Sequence, residues 1–465
     1  MLDYKIKIGL VPDVRDLGDF NTRKGIFEPA KGVERKNVIV KYIKDNITDE
    51  ITEFCDLEWL NELGVLYKNS DCERVCEYLK EEKVDAIFII NCNFGNEEAC
   101  GQIAKEMGVP VLLWGPQDTV FELDGMRYTD SQCGLFGISR QLMRMNVPFT
   151  YIENCPVESE KLKDGLDSFA RGVCAVRNFI GMRIGEIGLR PRPFCSVICN
   201  EGQLMEEFDI HMIPINLAVI QDRYNKIIAE SYDELKVGAD KIRSMYELDK
   251  TSDELAEKQY AFYILFKELF EEFSLDAISS ECWSALQLLV GAMPCTIYGL
   301  LADEGYIISC EKDTHAAMTQ VLLKSLSLGK NPPIFGEFTI RHNKETNVEL
   351  LWHCGQFAYS MHRKDKPCKC FNMRENFEAK KSHYTVARID QDHGAYSVIA
   401  GECDSTDGPY TNGTYLWAKF NDLDAWERKL IEGPYIHHVS EIEGSYTKEI
   451  KEFSKYIPKI KFETV

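Results

Sequence analysis

The sequence predicts an α/β protein: two parallel-sheet parts of flavodoxin-like or Rossmann-like character, followed by a mostly antiparallel β domain. Three observations predict it. Short apolar runs alternate with helical segments over the first third of the chain. A second alternation begins near residue 165. After about residue 330, proline and glycine become more frequent and helical periodicity fades. The domain boundaries expected from these shifts are 1–165, 166–328 and 329–465.

In the first part, Ile6–Val11 reads as a buried strand and Pro12–Asn21 as the loop after it. Val84–Ile90 is continuously apolar, the pattern of a strand covered on both faces. Asn91–Gly95 reads as a loop and Glu97–Met107 as a helix ended by Gly108, with Val109–Leu113 as the next strand. This is βαβ logic and implies parallel pairing. In the second part, Phe194–Cys199 and Ile210–Ile215 read as strands around a short helix, Gln203–Phe208. Thr251 and Glu254 fit a capping box, and Leu255, Phe262, Phe266, Leu269 and Phe273 then share one helical face. Asp276–Ser279 and Tyr306–Ser309 read as strands, each followed by a helix, Glu281–Val290 and Thr314–Leu328. In the last part, Phe338–Ile340, Val348–His353, Tyr384–Ile389 and Tyr396–Gly401 read as strands, and Asp422–Leu430 as a helix.

Composition excludes several classes. The formal net charge is −21 and no basic patch interrupts it, so nucleic-acid binding is not expected. The same charge disfavours anionic membranes. No apolar run approaches the roughly 18 residues of a membrane span, and Met1–Ile6 lacks the regions of a signal peptide. The 17 cysteines are an odd number and contain no CxxC pair, the usage of a reducing compartment. A cytoplasmic location is expected.

Chemistry concentrates in two blocks, Ser279–Ser280–Glu281–Cys282–Trp283 and Cys310–Glu311–Lys312–Asp313–Thr314. Each puts an acid between a strand and a helix, at the sheet edge where α/β proteins bind ligands. Carboxylates brought together there repel unless a cation or a proton neutralises them, and oxygen donors suit a hard divalent ion. His353, and the pair His437 and His438, are the histidines available to complete such a sphere, and a mixed oxygen and nitrogen set favours manganese over calcium. On spacing alone, ordinary helix caps and structural histidines remain the alternative.

Here the residues resemble the L-fucose/L-arabinose isomerase family. Gly181–Met182–Arg183–Ile184–Gly185–Glu186–Ile187–Gly188 is similar to the segment that opens the second domain of fucose-isomerase-like proteins. Ala302–Asp303–Glu304–Gly305 with the following Cys310–Asp313 block, Trp352–His353–Cys354–Gly355, and His437–His438 resemble later family blocks in the same order. The resemblance implies an aldose–ketose isomerase working through a cis-enediol, with a Mn²⁺-type ion (Mg²⁺ or Co²⁺ in its place). It also implies a small-molecule sugar substrate and a trimeric or hexameric homo-oligomer. Carried over, the metal ligands are Glu281, Asp313 and His438, with Glu311 and His353 as near alternatives. Glu281 and Asp313 are the expected catalytic carboxylates. Substrate contacts are expected from His353 and His437, and from Asp13, Arg15, Asn93, Trp114 and Gln117 at the carboxyl edge of the first sheet.

One departure matters. Many relatives carry an acid where this chain has Ala285. On a helix, Glu281 lies one turn earlier on the same face and can replace it. If it does not, a non-catalytic sugar-binding relative is the alternative. A third reading is an isomerase of a modified sugar, sulfonated, phosphorylated or deoxy. For an anionic substituent, Arg190, Arg192, Arg127 and Arg140 are candidate donors.

Overall fold

A computed structural model describes residues 2–16, 22–48, 52–118 and 125–465. The chain divides into two compact units, one of residues 4–177 with 455–457, the other of residues 178–454 with both chain ends.

The first unit is built on five parallel strands, β1 (Ile6–Asp13), β2 (Thr52–Cys55), β3 (Ala86–Asn91), β4 (Val111–Trp114) and β5 (Thr150–Tyr151), in the spatial order β2-β1-β3-β4-β5. This is the doubly wound flavodoxin-like order. Every residue of β3 is buried, as its unbroken apolar run requires. The helix Glu97–Met107 has the bounds that its sequence predicts. Asn96 caps its start through the Ala99 amide, and Gly108 closes it in the left-handed region at φ 64°. Of the loop expected over Pro12–Asn21, residues 17–21 lie outside the described residues, and Pro12 and Asp13 are the last residues of β1 rather than loop residues.

The second unit opens with a four-stranded parallel sheet. Its strands are β6 (Arg183–Ile187), β7 (His211–Ile215), β9 (Ala277–Ser280) and β10 (Ile308–Ser309), in the order β10-β9-β6-β7; β8 (Glu247–Leu248) joins the following sheet instead. Three expectations are corrected here. Phe194–Cys199 is not a strand: prolines at 191 and 193 hold it in a loop with one short 3₁₀ turn, Cys195–Val197, and the strand is the glycine-flanked β6. Asp249, not Thr251, caps the helix that begins at Lys250, accepting from the Ser252 amide. Glu281 is extended (φ −75°, ψ 103°), and Cys282–Leu286 is a π-type turn before a short helix, Gln287–Val290. Glu281 and Ala285 therefore do not share an α-helical face.

The remainder is β-rich: β11 (Ile334–Arg341), β12 (Val348–His353), β13 (Lys369–Phe371), β14 (Arg374–Glu378), β15 (His383–Asp392), β16 (Ala395–Ser405), β17 (Thr414–Phe420), β18 (His438–Glu443) and β19 (Ile460–Thr464). Six antiparallel strands close into a barrel in the order β16-β15-β18-β11-β12-β17, sealed by β16–β17 pairing. The helix Thr314–Leu326, buried along its whole length, packs on β15 and β18 and joins the parallel sheet to the barrel. One apolar core runs through both, from Ile278 and Phe266 to Val386 and Val439. Among the described residues no helix is long and apolar enough to cross a membrane.

Candidate active site

The residues after β9 and β10 lead to the start of β18 at His438, which pairs with Glu337 in the middle of β11. Glu281 follows β9. Its Oε2 accepts the Leu189 amide at 2.8 Å, from the loop after β6. Gly188 permits this approach: it sits at φ +76°, and a Cβ there would lie 2.5 Å from Glu281 Oε2.

The second acidic block turns sharply. Glu311 and Lys312 are consecutive left-handed residues at φ 60° and 53°, a conformation that costs a non-glycine residue about 1–2 kcal/mol. Strain of this kind gathers where a side chain must be aimed. The turn sends Lys312 to a nearly buried ion pair with Glu186, Glu311 toward β18, and Asp313 to the head of the helix Thr314–Leu326. Asp313 Oδ1 caps that helix through the Ala316 amide at 2.9 Å. Its Oδ2 takes Arg388 Nη1 at 2.6 Å and His438 Nδ1 at 2.8 Å. Both oxygens are thus engaged, and the residue is fully buried. Burial raises a carboxyl pKa, but Arg388 and His438 outweigh it and hold Asp313 well below the usual carboxylate range.

With Nδ1 committed to Asp313, the fully buried His438 presents Nε2 to the other acids. Glu311 Oε2 lies 3.2 Å away and Glu337 Oε2 3.8 Å away. Among the described residues, neither His438 Nε2 nor Glu311 Oε2 has a hydrogen-bond partner. Two buried acceptors facing each other need a proton or a cation between them. Burial lowers the His438 pKa, but Asp313 and Glu311 reverse that and raise it, while His438 and His353 offset burial at Glu311 and lower its pKa. Glu337 moves upward, mainly through burial. His437 Nε2 lies 3.5 Å from Glu337 Oε2; burial and the neighbouring His438 press its pKa down to about 4. Glu337, His437 and His438 can each offer a ligand atom within 4.8 Å of the other two, the one such group among the described residues. The unpartnered Nε2 and the oxygen–nitrogen donor set fit a divalent cation.

The structure thus gathers Glu311, Asp313, His437 and His438 around one point. His353 is buried behind Phe335, whose ring touches both His353 (4.7 Å) and His438 (5.0 Å). Burial lowers the His353 pKa, but Cys354 Sγ, 3.5 Å from Nδ1, and the carboxylates of Glu311 and Glu337 raise it to about 10. Glu281 is held by the loop after β6, and on that loop Phe194, five residues after Leu189, places its ring 6.3 Å from His438. Sequence reasoning missed Glu337, which stands mid-strand in β11 without an acidic motif. Only the β11–β18 register, which pairs Glu337 with His438, reveals it.

In the first unit, Asp13 is fully buried at the end of β1, accepts the Asn96 amide at 2.6 Å, and is pushed up to about 7 by burial. Asn93 Oδ1 takes the amides of Arg15 (3.0 Å) and Gly95 (3.1 Å). The Arg15 guanidinium pairs with Glu97 at 3.1 Å and lies over the Phe94 ring. Trp114 is fully buried, its Nε1 directed at Cys155 Sγ, which makes it a packing residue of this unit. Gln117 is exposed and lines a cleft of about 390 Å³ with Arg35, Pro116 and Pro156. Of the four arginines considered for an anionic substituent, Arg127 and Arg140 belong to this first unit, and Arg190 and Arg192 to the unit that holds the acid–histidine cluster.

Comparison with known proteins finds similarity to sugar isomerases. Residues 19–180 match the family model described as fucose/sulfoquinovose isomerase, N-terminal domain. The chain is 24% identical over 381 residues to a sulfoquinovose isomerase of Alkalicoccus urumqiensis, covering 80% of this chain and 84% of that one. It is 22% identical over 392 residues to sulfoquinovose isomerases of Priestia aryabhattai and Priestia megaterium, covering 82% of this chain and 85% of each of those. Together these matches support an aldose–ketose isomerase. The family they support is that of the fucose isomerase-like sugar isomerases.

Proposed function

We propose that this protein is a divalent-metal-dependent isomerase that converts a sulfonated aldose to its ketose. The observation that carries the metal dependence is the buried, unpartnered Nε2 of His438 facing Glu311 and Glu337. The sulfonate rests on the activity for which the relatives are named.

His438, Glu311 and Glu337 are the groups proposed to hold the ion, with His437 and His353 beside them. Asp313 fixes the His438 ring rather than carrying a proton, because both of its oxygens are engaged. Manganese suits the mixed carboxylate and imidazole set. When bound, such an ion polarises the substrate carbonyl and its neighbouring hydroxyl. Glu281 is proposed to take the C2 proton and return it at C1 through a cis-enediol, while the O2 hydroxyl proton passes to O1. The Leu189 amide on Oε2 orients that carboxylate. The strained Glu311–Lys312 turn keeps Glu311 aimed at His438 before substrate arrives.

Arg190 is the proposed reader of the sulfonate. It is half-buried, hydrogen-bonds the carbonyls of Pro191 and Arg192, and forms no ion pair with a carboxylate among the described residues. It stands on the loop that holds Glu281 at Leu189 and approaches His438 at Phe194. A guanidinium fork matches the oxygens of a sulfonate. A homo-oligomer and a cytoplasmic location belong to the same proposal, on the resemblance alone.

The test is turnover of a sulfonated aldohexose by protein stripped of metal and reloaded with Mn²⁺. Ketose formation that stops with EDTA and returns with Mn²⁺ supports the reading. Metal-loaded, folded protein that isomerises no aldose overturns it.

A further inference from the structure

A line of buried charges runs inward from His438. Asp313 Oδ2 takes His438 Nδ1 at 2.8 Å and Arg388 Nη1 at 2.6 Å. Arg388 Nε donates to Asp390 Oδ2 at 3.0 Å, and Asp390 Oδ1 lies 3.3 Å from His315 Nδ1. Arg388 and Asp313 are wholly buried, and Asp390 and His315 nearly so. Arg388 and Asp390 are two apart in β15 and so face the same way. His315 and Asp313 flank the first residue of the helix Thr314–Leu326. A strand and a helix therefore clamp one carboxylate between them.

Stability does not explain this arrangement. Burying ions costs free energy that their attraction returns only when every donor and acceptor is matched. Among the described residues, Arg388 Nη2 and His315 Nε2 are buried without a hydrogen-bond partner, and His315 Nδ1 meets Asp390 at 3.3 Å as an ion-pair contact. An apolar cluster of equal volume would fill the space at less cost. What the charges do accomplish is directional. Arg388 holds Asp313 Oδ2 in line with His438 Nδ1, and an imidazole that donates from Nδ1 keeps its lone pair on Nε2.

We propose that Arg388, braced by Asp390 and His315, is a positioning residue for the metal-holding imidazole: it pins Asp313 so that His438 keeps its proton on Nδ1 and offers Nε2 toward Glu311 and Glu337. This rests on the metal reading above. Without Arg388, the Asp313 carboxylate loses its strongest anchor and the opposite tautomer, with the proton on Nε2, becomes accessible. That tautomer carries its lone pair on Nδ1, beside Asp313, and has none at Nε2 to offer toward Glu311 and Glu337.

Mn²⁺ affinity of the intact protein, followed by the electron paramagnetic resonance of free Mn²⁺, tests the proposal on Arg388→Met, Arg388→Lys and Asp390→Asn. Loss of an outer partner of a ligating histidine typically weakens metal binding about 10–100-fold, and Arg388→Met is expected in that range. Asp390→Asn is expected to weaken binding less, and Arg388→Lys to recover part of the loss by keeping one contact to Asp313. Circular dichroism and melting report the fold. If Arg388→Met and Asp390→Asn melt earlier yet bind Mn²⁺ as the wild type does, the network is only structural and the proposal is overturned. Should Arg388→Met not fold, the same criterion applies to the other two variants. Should the wild type itself bind no Mn²⁺, the metal reading fails, and ¹⁵N shifts of labelled histidine in metal-free protein decide the remainder. A His438 tautomer that moves off Nδ1–H in the variants sustains the positioning role, and an unchanged tautomer refutes it.

Discussion

Asp313→Asn isolates the charge of the most heavily engaged carboxylate in the site. Asparagine caps helices as well as aspartate does, so the cap on the Ala316 amide can survive. Two other contacts cannot both survive. With its oxygen kept on Ala316, the amide NH₂ points at Arg388 Nη1 and His438 Nδ1–H, donor against donor, where 2.6 and 2.8 Å bonds stood. With the amide reversed, the helix cap is lost and the charge is still gone. Removing one partner of a buried pair costs about 3–5 kcal/mol. At roughly 2–4 °C per kcal/mol for units of this size, the melting temperature should fall by about 6–20 °C. Mn²⁺ affinity should fall about 10–100-fold, because His438 loses the partner that sets its tautomer. Differential scanning calorimetry and Mn²⁺ titration read the two effects separately. A melting shift under about 2 °C, together with wild-type affinity, would show that Asp313 is an ordinary surface-type cap and not the anchor of the site.

Three further outcomes follow from the same geometry. Glu349 in β12 is nearly buried, and burial first, despite Arg341, pushes its pKa up to about 7. Arg341 is shared with Asp424 and Glu427 and compensates little. A raised carboxyl pKa favours the protonated fold, so its destabilising contribution grows as pH rises from about 4.5 to about 7. Glu349→Gln should remove up to about 2 kcal/mol of that cost at pH 8, after screening is allowed for, and nothing near pH 4; melting curves at the two pH values check it, and an equal shift at both refutes it. Gly188→Ala should misplace Glu281, since its Cβ would lie 2.5 Å from Oε2; kcat should fall about 100-fold, as expected for a reacting group moved by about 1 Å, with the circular dichroism spectrum retained, whereas wild-type kcat would clear Glu281 of the proton transfer. Arg190→Met should raise KM for the sulfonated aldose about 10–100-fold, the value of a charge-assisted bond. It should leave KM for the unsubstituted sugar unchanged, and equal effects on both substrates would remove Arg190 from sulfonate recognition.

Fold class was legible because its signals are local. The apolar run of β3, the Asn96 and Gly108 ends of the helix between them, and the apolar stretch of β12 are each short local signals. Misreadings arose where tertiary context decides. The strand β6 carries Arg183 and Glu186 and was masked by its glycines, whereas Phe194–Cys199 has strand-like composition but follows two prolines. The site was half legible. Acids at strand ends and paired histidines leave a mark in sequence, and Glu311, Asp313, His437 and His438 do converge. Their division of labour leaves none: nothing local shows that Asp313 is consumed by Arg388 while Glu311, turned by two left-handed residues, faces the open imidazole nitrogen. Glu337 and Arg388 sit inside strands, 101 and 50 residues before His438 in the sequence, and only the pairing of β11 and β15 on either side of β18 brings them there.

The central claim, metal-dependent proton transfer on a sulfonated aldose, is tested most directly by incubating the Mn²⁺-loaded protein with a sulfonated aldohexose in D₂O. After the metal is removed, NMR reads the products. The account predicts ketose with deuterium entering at the carbons that exchange the proton, none formed in EDTA or by Glu281→Gln, and turnover restored by Mn²⁺ in the wild type. Ketose formation at the same rate in EDTA, or none from folded, Mn²⁺-loaded protein, would contradict it.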